Sequence, residues 1–237
     1  MIQHRIGRAL LGVLLAGSVI VAGAAPATAA PSDKEIARAG VLVRADFPSD
    51  WTSSTRGQTS DAALDAAAGQ VESCRPFLAF SRANRKKPRA KSPNFEHEQS
   101  NVTNTVSVYP SNAKASAALH MLSDPGLPDC LERLFSSVFE QQLAKQSDVA
   151  GQIISVNTSI APVTDVRIGD EAVAYQGTVD IAMKDGTTQT IGLGIVSSRV
   201  GAAVAGYSWT SDTDISAMLQ PAIVKSVNRL QRTQSAD

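Results

Sequence analysis

The feature that most constrains this fold is a run of alternating apolar and polar residues in the second half of the chain. Residues 173–183 carry an apolar or small side chain at every second position. Asp185-Gly186 follows at once, and this dipeptide favours a two-residue hairpin because both central positions need a positive φ. The other strand-like runs are residues 154–160, 191–195 and 203–209. We therefore predict four antiparallel strands, joined in sequence order.

The first half of the chain mixes strand and helix patterns. The predicted elements are a strand at 40–44, a helix from near Ser60 to Cys74, a strand from Val102 to Tyr109, and helices that begin at Ser111 and Leu127. A C-terminal helix over 215–230 is predicted to divide at Pro221, because proline interrupts a helix interior. Half-polar strands joined by hairpins indicate an antiparallel sheet with one solvated face. The predicted fold class is α+β: a single domain of residues 30–237, with an antiparallel sheet of about five to six strands and helices packed on one face.

The first 29 residues have the organisation of a secretory signal peptide. Arg5 and Arg8 precede an apolar run at 9–25, and Ala27-Thr28-Ala29 supplies the small residues that a signal peptidase requires. The apolar run contains three glycines and is shorter than the ~20 strongly apolar residues that span a bilayer. We therefore predict cleavage after Ala29, secretion of the mature chain, and no stable membrane insertion afterwards.

The charge balance of the mature chain argues against a nucleic-acid partner. Loss of residues 1–29 removes two arginines and no acidic residue, which leaves 20 basic against 22 acidic side chains. A net charge of about −2 gives no overall attraction to a polyanion.

Two cysteines, Cys74 and Cys130, remain after this processing. Two thiols in an oxidising compartment usually pair, and their spacing fits neither a zinc site nor a redox motif. Both cysteines lie beside predicted apolar helix faces, so we predict a structural disulfide between them. No cofactor is predicted.

One segment concentrates positive charge. Residues 77–93 show no periodicity and are predicted to form a long loop, whose basic side chains are Arg82, Arg85, Lys86, Lys87, Arg89 and Lys91. These side chains are candidates for binding an anionic ligand or partner, namely an envelope polymer, a lipid or another exported protein. The alternative is a solvated connector without a binding role. The segment lacks the interleaved aromatic residues that are typical of single-stranded nucleic-acid sites.

Motifs with catalytic potential are few. Ser111 and Lys114 have the S-x-x-K spacing of penicillin-binding enzymes, although Ser111 also suits a helix N-cap. Strand alternation would direct His97 away from Glu96 and Glu98, which disfavours a metal site there. Asp170-Glu171 are expected to diverge at a strand entrance and to form a solvated turn.

Four short segments resemble a known family. They are residues 45–51 (ADFPSDW), 106–111 (VSVYPS), 127–131 (LPDCL) and 168–172 (IGDEA). Together they resemble secreted actinobacterial sensor-like domains, similar to the extracellular sensor domain of PknH-type receptor kinases and to LpqN-type lipoproteins. The resemblance covers most of residues 40–230, and its motifs are turn and packing signatures. It implies an antiparallel sheet flanked by helices and a binding module that faces the cell envelope.

Three functions stay open at this point. The first is a secreted, non-enzymatic binding or sensor-like protein of the cell envelope. The second is a serine-dependent hydrolase or acyl transferase that uses Ser111 and Lys114. The third is a structural or chaperone-like partner of another exported protein. We favour the first, because no histidine, carboxylate and nucleophile converge in the sequence pattern.

The signal segment makes a direct prediction for the secreted protein. Its intact mass, measured on protein recovered from culture medium, should correspond to a chain that starts near Ala30, because the residues at 27 and 29 fit the peptidase cleft. Recovery only in the membrane fraction, with Met1 retained, would contradict this prediction.

Overall fold

A computed structural model describes residues 30–55, 61–145 and 150–235. The predicted signal segment at 1–29 and the predicted cap Ser60 lie outside these residues. Within the described ranges the helices are α1 (Asp33–Ala39), α2 (Asp61–Ala68), α3 (Arg75–Arg85), α4 (Asn112–His120), α5 (Leu127–Leu143) and α6 (Ser216–Gln234). The strands are β1 (Thr52–Ser54), β2 (Arg89–Lys91), β3 (Asn94–His97), β4 (Ser100–Val108), β5 (Ile153–Val163), β6 (Glu171–Met183), β7 (Thr188–Val200) and β8 (Ala203–Ser211).

The strands form one antiparallel sheet, in the order β1-β3-β4-β8-β7-β6-β5, and β2 pairs with β4 beside β3. The predicted meander is confirmed: β5, β6, β7 and β8 are consecutive neighbours in the sheet. The hairpin between β6 and β7 forms at the predicted place, but residues 184–187 connect the strands instead of a two-residue turn. Among these residues only Gly186 has a positive φ, and Asp185 does not; the value of 86° is one that glycine adopts without strain. The α+β class is also confirmed, with eight strands rather than five to six.

Helices pack on both faces of this sheet, which corrects the prediction that they cover one face. On the first face, α1 and α6 enclose a core that includes Val196 and Ala205. On the second face, α4 and α5 pack on the sheet and α2 and α3 adjoin them, around a core that includes Leu193 and Val204. Alternate residues of β7 and β8 therefore serve different cores, because successive strand side chains point to opposite faces.

The segment before β1 also differs from the prediction. Residues 40–44 do not form a strand; a short 3₁₀ turn occupies Arg44–Asp46 instead. The helix α1 precedes it and begins with a capping box, in which Ser32 and Glu35 bond reciprocally to each other's backbone N–H groups. The S-x-x-E spacing of these two residues is a local signal in the sequence, and it marks a helix that the prediction omitted.

Residues 75–85 form the helix α3, so the prediction of a long basic loop over 77–93 is wrong. Pro76 lies in the first helical turn, where proline is tolerated, and Leu78 is buried in the second core with Phe77 and Phe80 packed against it. The apolar stripe is only three residues long among many charged residues. That short stripe left the helical period too weak to recognise.

The helix α6 continues through Pro221, which corrects the predicted division. Proline removes one hydrogen bond to the carbonyl four residues earlier, here that of Ala217. Both residues are exposed, so water can satisfy that carbonyl without a break in the helix.

Polar side chains fasten the N-terminal segment to α6. Arg229 donates to both carboxylate oxygens of buried Asp46, at 2.6 and 2.8 Å, and to the carbonyls of Ala39 and Val41. The ion pair and these hydrogen bonds compensate for the free energy that is lost when the two charged groups leave water, and a buried ion pair is stable only with such compensation. The segment is thereby held across α6 although it forms no strand in the sheet.

Cys74 and Cys130 are joined by a disulfide, with a Cα–Cα distance of 4.8 Å. The bond links the start of α3 to the first turn of α5, and both sulfurs are buried in the second core. None of the helices in the described ranges has the length and apolar character that a membrane crossing requires.

Reduction of the disulfide should lower the melting temperature. The cross-link closes a loop with a sequence separation of 56 residues, and its loss should cost roughly 4 kcal/mol by chain entropy. For a domain of this size, that corresponds to a decrease of roughly 10 °C in calorimetry with and without reductant. The Cys74→Ala/Cys130→Ala variant should melt like the reduced protein. A melting temperature unchanged by reduction would contradict a stabilising role.

The buried ion pair should contribute far more to stability than an exposed one. Arg229→Met leaves the Asp46 carboxylate, only 3% exposed, without its partner, and should lower the free energy of unfolding by about 3–5 kcal/mol in urea denaturation. The matched control is Arg133→Met, which breaks an exposed i,i+4 pair with Asp129 and should leave stability nearly unchanged. Equal effects of the two substitutions would refute this assignment.

Candidate functional site

The six basic residues singled out in the sequence lie on ordered secondary structure and on the turn between two elements. Arg82 and Arg85 belong to α3, Lys86 and Lys87 follow its last residue, and Arg89 and Lys91 lie on β2. The structure therefore brings these residues to one edge of the sheet, where α3 ends and β2 begins.

Two of the six basic side chains are held by an acid. Arg85 pairs with Asp65 of α2, and Arg82 Nε lies 3.6 Å from the same carboxylate. Burial raises the pKa of Asp65, but the hydrogen bonds from Arg85 and Ser81 and the two positive charges outweigh it, so the pKa lies below its usual value. Asp65 is thus ionised at neutral pH, and Arg85 acts as a link between α2 and α3.

The other four basic residues define what we call the basic surface: Lys86, Lys87, Arg89 and Lys91. The side chains of Lys86 and Lys91 are exposed and form no ion pair with any residue that the structure describes. Lys87 Nζ lies 5.9 Å from the centre of the Tyr109 ring, a cation–π geometry.

Tyr109 positions the segment that carries Lys87. Its hydroxyl donates to Asn84 Oδ1 on α3, and burial raises the pKa of Tyr109 to about 12. The phenol therefore stays protonated and keeps donating to α3 over the physiological pH range.

The pairing of β2 with β4 determines which way its basic side chains point. Ala90 pairs with Val106 and packs against the first core, so Arg89 and Lys91 point to the second face of the sheet. Lys91 is paired with Thr105 there, and Thr103 and Ser208 lie half-buried on the same face. The basic surface thus borders a row of hydroxyl side chains on β4 and β8.

Ser111 serves as the N-cap of α4. Its Oγ accepts a hydrogen bond of 3.3 Å from the backbone N–H of Lys114, which is the cap that the sequence also allowed. The S-x-x-K spacing is accounted for by this local geometry.

Glu96 and His97 point to opposite faces, as strand alternation predicted. Glu96 Oε1 accepts hydrogen bonds of 2.7 Å from Ser54 and from Asn94. His97 stacks on Trp51, and its Nε2 lies 2.9 Å from Asp50. In the described part of the chain, no three His, Cys, Asp or Glu side chains converge into a possible metal site.

Asp170 and Glu171 do not diverge, which corrects the expectation for this pair. Both carboxylates lie 3.0 Å from the guanidinium of Arg199, a residue whose side chain is only 13% exposed. A hydrogen bond from Ser116, opposed by burial and reinforced by Arg199, holds the pKa of Glu171 below its usual value. The cluster joins α4 to β6 and β7. Sequence spacing could not show it, because Arg199 becomes a neighbour only through the β6–β7 pairing.

One surface depression, with a volume of about 580 Å³, adjoins β1 and is lined by Ser53, Ser54, Thr55, Pro93 and Glu96. Another, of about 270 Å³, lies on the first face of the sheet and contains the half-buried Trp209. In the sequence, Trp209 is recognisable only as the end of a strand.

No protein-family model matches this chain, and no curated protein matches it. Among solved structures, the chain is similar to the extracellular domain of PknH from Mycobacterium tuberculosis, with 12% sequence identity and a TM-score of 0.41. The similarity covers 73% of this chain and 92% of that domain. The PknH extracellular domain is one of the two kinds of protein that the four short sequence motifs resemble. The resemblance to LpqN-type lipoproteins stays a prediction.

Proposed function

We propose that this chain is a secreted, non-catalytic binding protein of the cell envelope, and that its basic surface binds an anionic polymer. The observation that carries the proposal is the arrangement of Lys86, Lys87, Arg89 and Lys91 at one sheet edge. Two of these cations, Lys86 and Lys91, have no counter-charge among the described residues.

The arrangement suits a repeating anion better than a small one. The positive groups follow an extended segment, from the end of α3 along β2, instead of surrounding a closed pocket. Exposed cations in a row attract phosphate, sulfate or carboxylate groups over several ångströms without requiring one fixed geometry. The hydroxyl row of Thr103, Thr105 and Ser208 adds hydrogen-bond partners beside the charges.

Secretion is supported by the signal pattern and the disulfide together. The pattern at 1–29 directs export, and a disulfide persists in oxidising compartments. A non-catalytic role is supported by the site itself, since the Ser111 hydroxyl is engaged as a helix cap.

Charge reversal on the basic surface should weaken binding to anionic polymers. The mature protein should be retained on immobilised dextran sulfate, polyphosphate or polygalacturonate, and not on neutral dextran. Lys86→Glu/Lys91→Glu should weaken retention at least about tenfold, equivalent to about 1.4 kcal/mol. Raising the salt from about 0.1 M to 1 M should have a similar effect, because the screening length falls from ~10 Å to ~3 Å.

The matched control is Lys145→Glu/Lys184→Glu. It changes the net charge by the same amount as Lys86→Glu/Lys91→Glu, at two exposed positions that lie outside the basic surface. It should retain most of the binding, and both double variants should melt within a few degrees of the wild type, since exposed charges contribute little to folding. Equal losses in the two variants would show an effect of net charge alone. That result, or retention on anionic vesicles but on none of the three polymers, would overturn the proposal.

A further inference from the structure

The depression around Trp209 lies on the face of the sheet opposite the basic surface. Its volume is about 270 Å³, and it lies beside the N-terminal end of α6. The lining residues are Gln176, Gly177, Thr178, Thr190, Gly192, Leu193, Trp209, Ser211, Asp212, Thr213, Asp214 and Ile215. Among the residues that the structure describes, the lining has aromatic, hydroxyl, amide and carboxylate groups and no lysine or arginine.

The floor of the depression is built by cross-strand pairing. Gly194 of β7 pairs with Trp209 of β8 and with Gln176 of β6, so these three residues form one row across the sheet. A Cβ atom at Gly194 would lie 2.1 Å from Cζ2 of the Trp209 ring. The absence of a side chain at Gly194 therefore allows the indole to lie over β7, in contact with its backbone.

The next row across the sheet keeps the space beside the indole open. Gly192 pairs with Ser211 and with Thr178, and a Cβ atom at Gly192 would meet only the Ser211 carbonyl, at 3.3 Å. With no side chain on Gly192, the depression is bounded by the indole on one side and by Thr178 and Thr190 on the others.

Hydrogen-bonding groups surround this space. Gln176 is exposed with its amide at the edge of the row, and Thr190 Oγ1 donates to Asp180 Oδ1 at 2.6 Å. Asp214 is exposed, and its Oδ1 accepts a hydrogen bond of 2.9 Å from the backbone N–H of Ser216. Asp212 is exposed beside it.

We propose that this depression binds a neutral saccharide ring. The C–H face of a pyranose is apolar and flat, and it packs on the indole of Trp209, which lies against the backbone of β7. The hydroxyls at the ring edge are both donors and acceptors. They match carboxylates that accept, an amide and a Thr178 hydroxyl that donate and accept, and a Thr190 hydroxyl that accepts because its hydrogen is donated to Asp180. A volume slightly below the ~300–1,000 Å³ of sites for drug-sized ligands suits one ring of a longer glycan.

The charge of the lining selects against acidic sugars. Asp212 and Asp214 repel carboxylate, sulfate and phosphate groups, and none of the described lining residues carries a positive charge that would compensate for them. The ligand of this depression therefore differs in chemistry from that of the basic surface. The two proposals are independent, because the sites lie on opposite faces and share no residue.

Intrinsic fluorescence can test the proposal, since the two tryptophans differ in exposure. Trp51 is 1% exposed and should contribute a constant signal, whereas stacking of a sugar should change the emission of Trp209. The probes are cellotriose, maltotriose, mannotriose and chitotriose, titrated to roughly ten times a Kd of about 1 mM, a weak affinity expected of a single ring. At least one should shift the emission, and the shift should be absent in Trp209→Phe.

Exposed polar positions allow a test that does not disturb the core. Gln176→Ala should weaken binding of the responding trisaccharide threefold to tenfold in ligand-observed NMR, the loss expected for one hydrogen bond. Gln189→Ala, on the neighbouring strand but on the other face of the sheet, is the matched control and should bind like the wild type.

Four results would overturn the inference. They are no response to any of the four trisaccharides, equal affinities in the two glutamine variants, a stronger response to glucuronate-containing oligosaccharides, and a response to tetramethylammonium alone. A response to tetramethylammonium would show that the indole and the carboxylates bind a cation instead of a sugar. Loss of binding in Lys86→Glu/Lys91→Glu would likewise contradict two separate sites.

Discussion

Burial on both faces of β7 and β8 is the constraint on which the rest of this structure depends. Val196 and Ala205 pack under α6 on the first face, while Leu193 and Val204 pack under the other helices. Ala203 of β8 is fully buried in the first core. Because apolar surface on both faces must leave water, the helices divide into two groups, one on each side of the sheet.

The division into two groups also determines which parts of the sheet stay exposed. Each helical layer covers only part of its face, and the uncovered parts are different in chemistry. On the second face, the region near β2 carries Lys91 and Thr105; on the first, the region beyond α6 carries Trp209 and carboxylates. One sheet thereby presents a cationic edge on one side and an acidic, aromatic depression on the other.

Local signals explain which elements could be predicted. The β6–β7 hairpin follows from Asp185-Gly186, and α5 follows from the spacing of its apolar residues, because both depend on neighbours in the sequence. The helix α3 was missed because its apolar stripe is short. The basic residues are evident from composition. The ion pair between Arg85 and Asp65 is not, since the two residues lie on different helices, 20 residues apart, and become neighbours only when α2 packs beside α3.

By itself, the sequence determined the meander, the α+β class and the identity of the charged residues. Alternation, turn dipeptides and composition are properties of a single segment, so the features that they predict do not depend on knowledge of tertiary contacts. The tertiary structure decided three features: the core on both faces of the sheet, the ion pairs of Arg199 with Asp170 and Glu171, and the packing of the Trp209 ring on Gly194. These depend on strand register, and register is set by the total burial of both sheet faces, a quantity that no single segment contains.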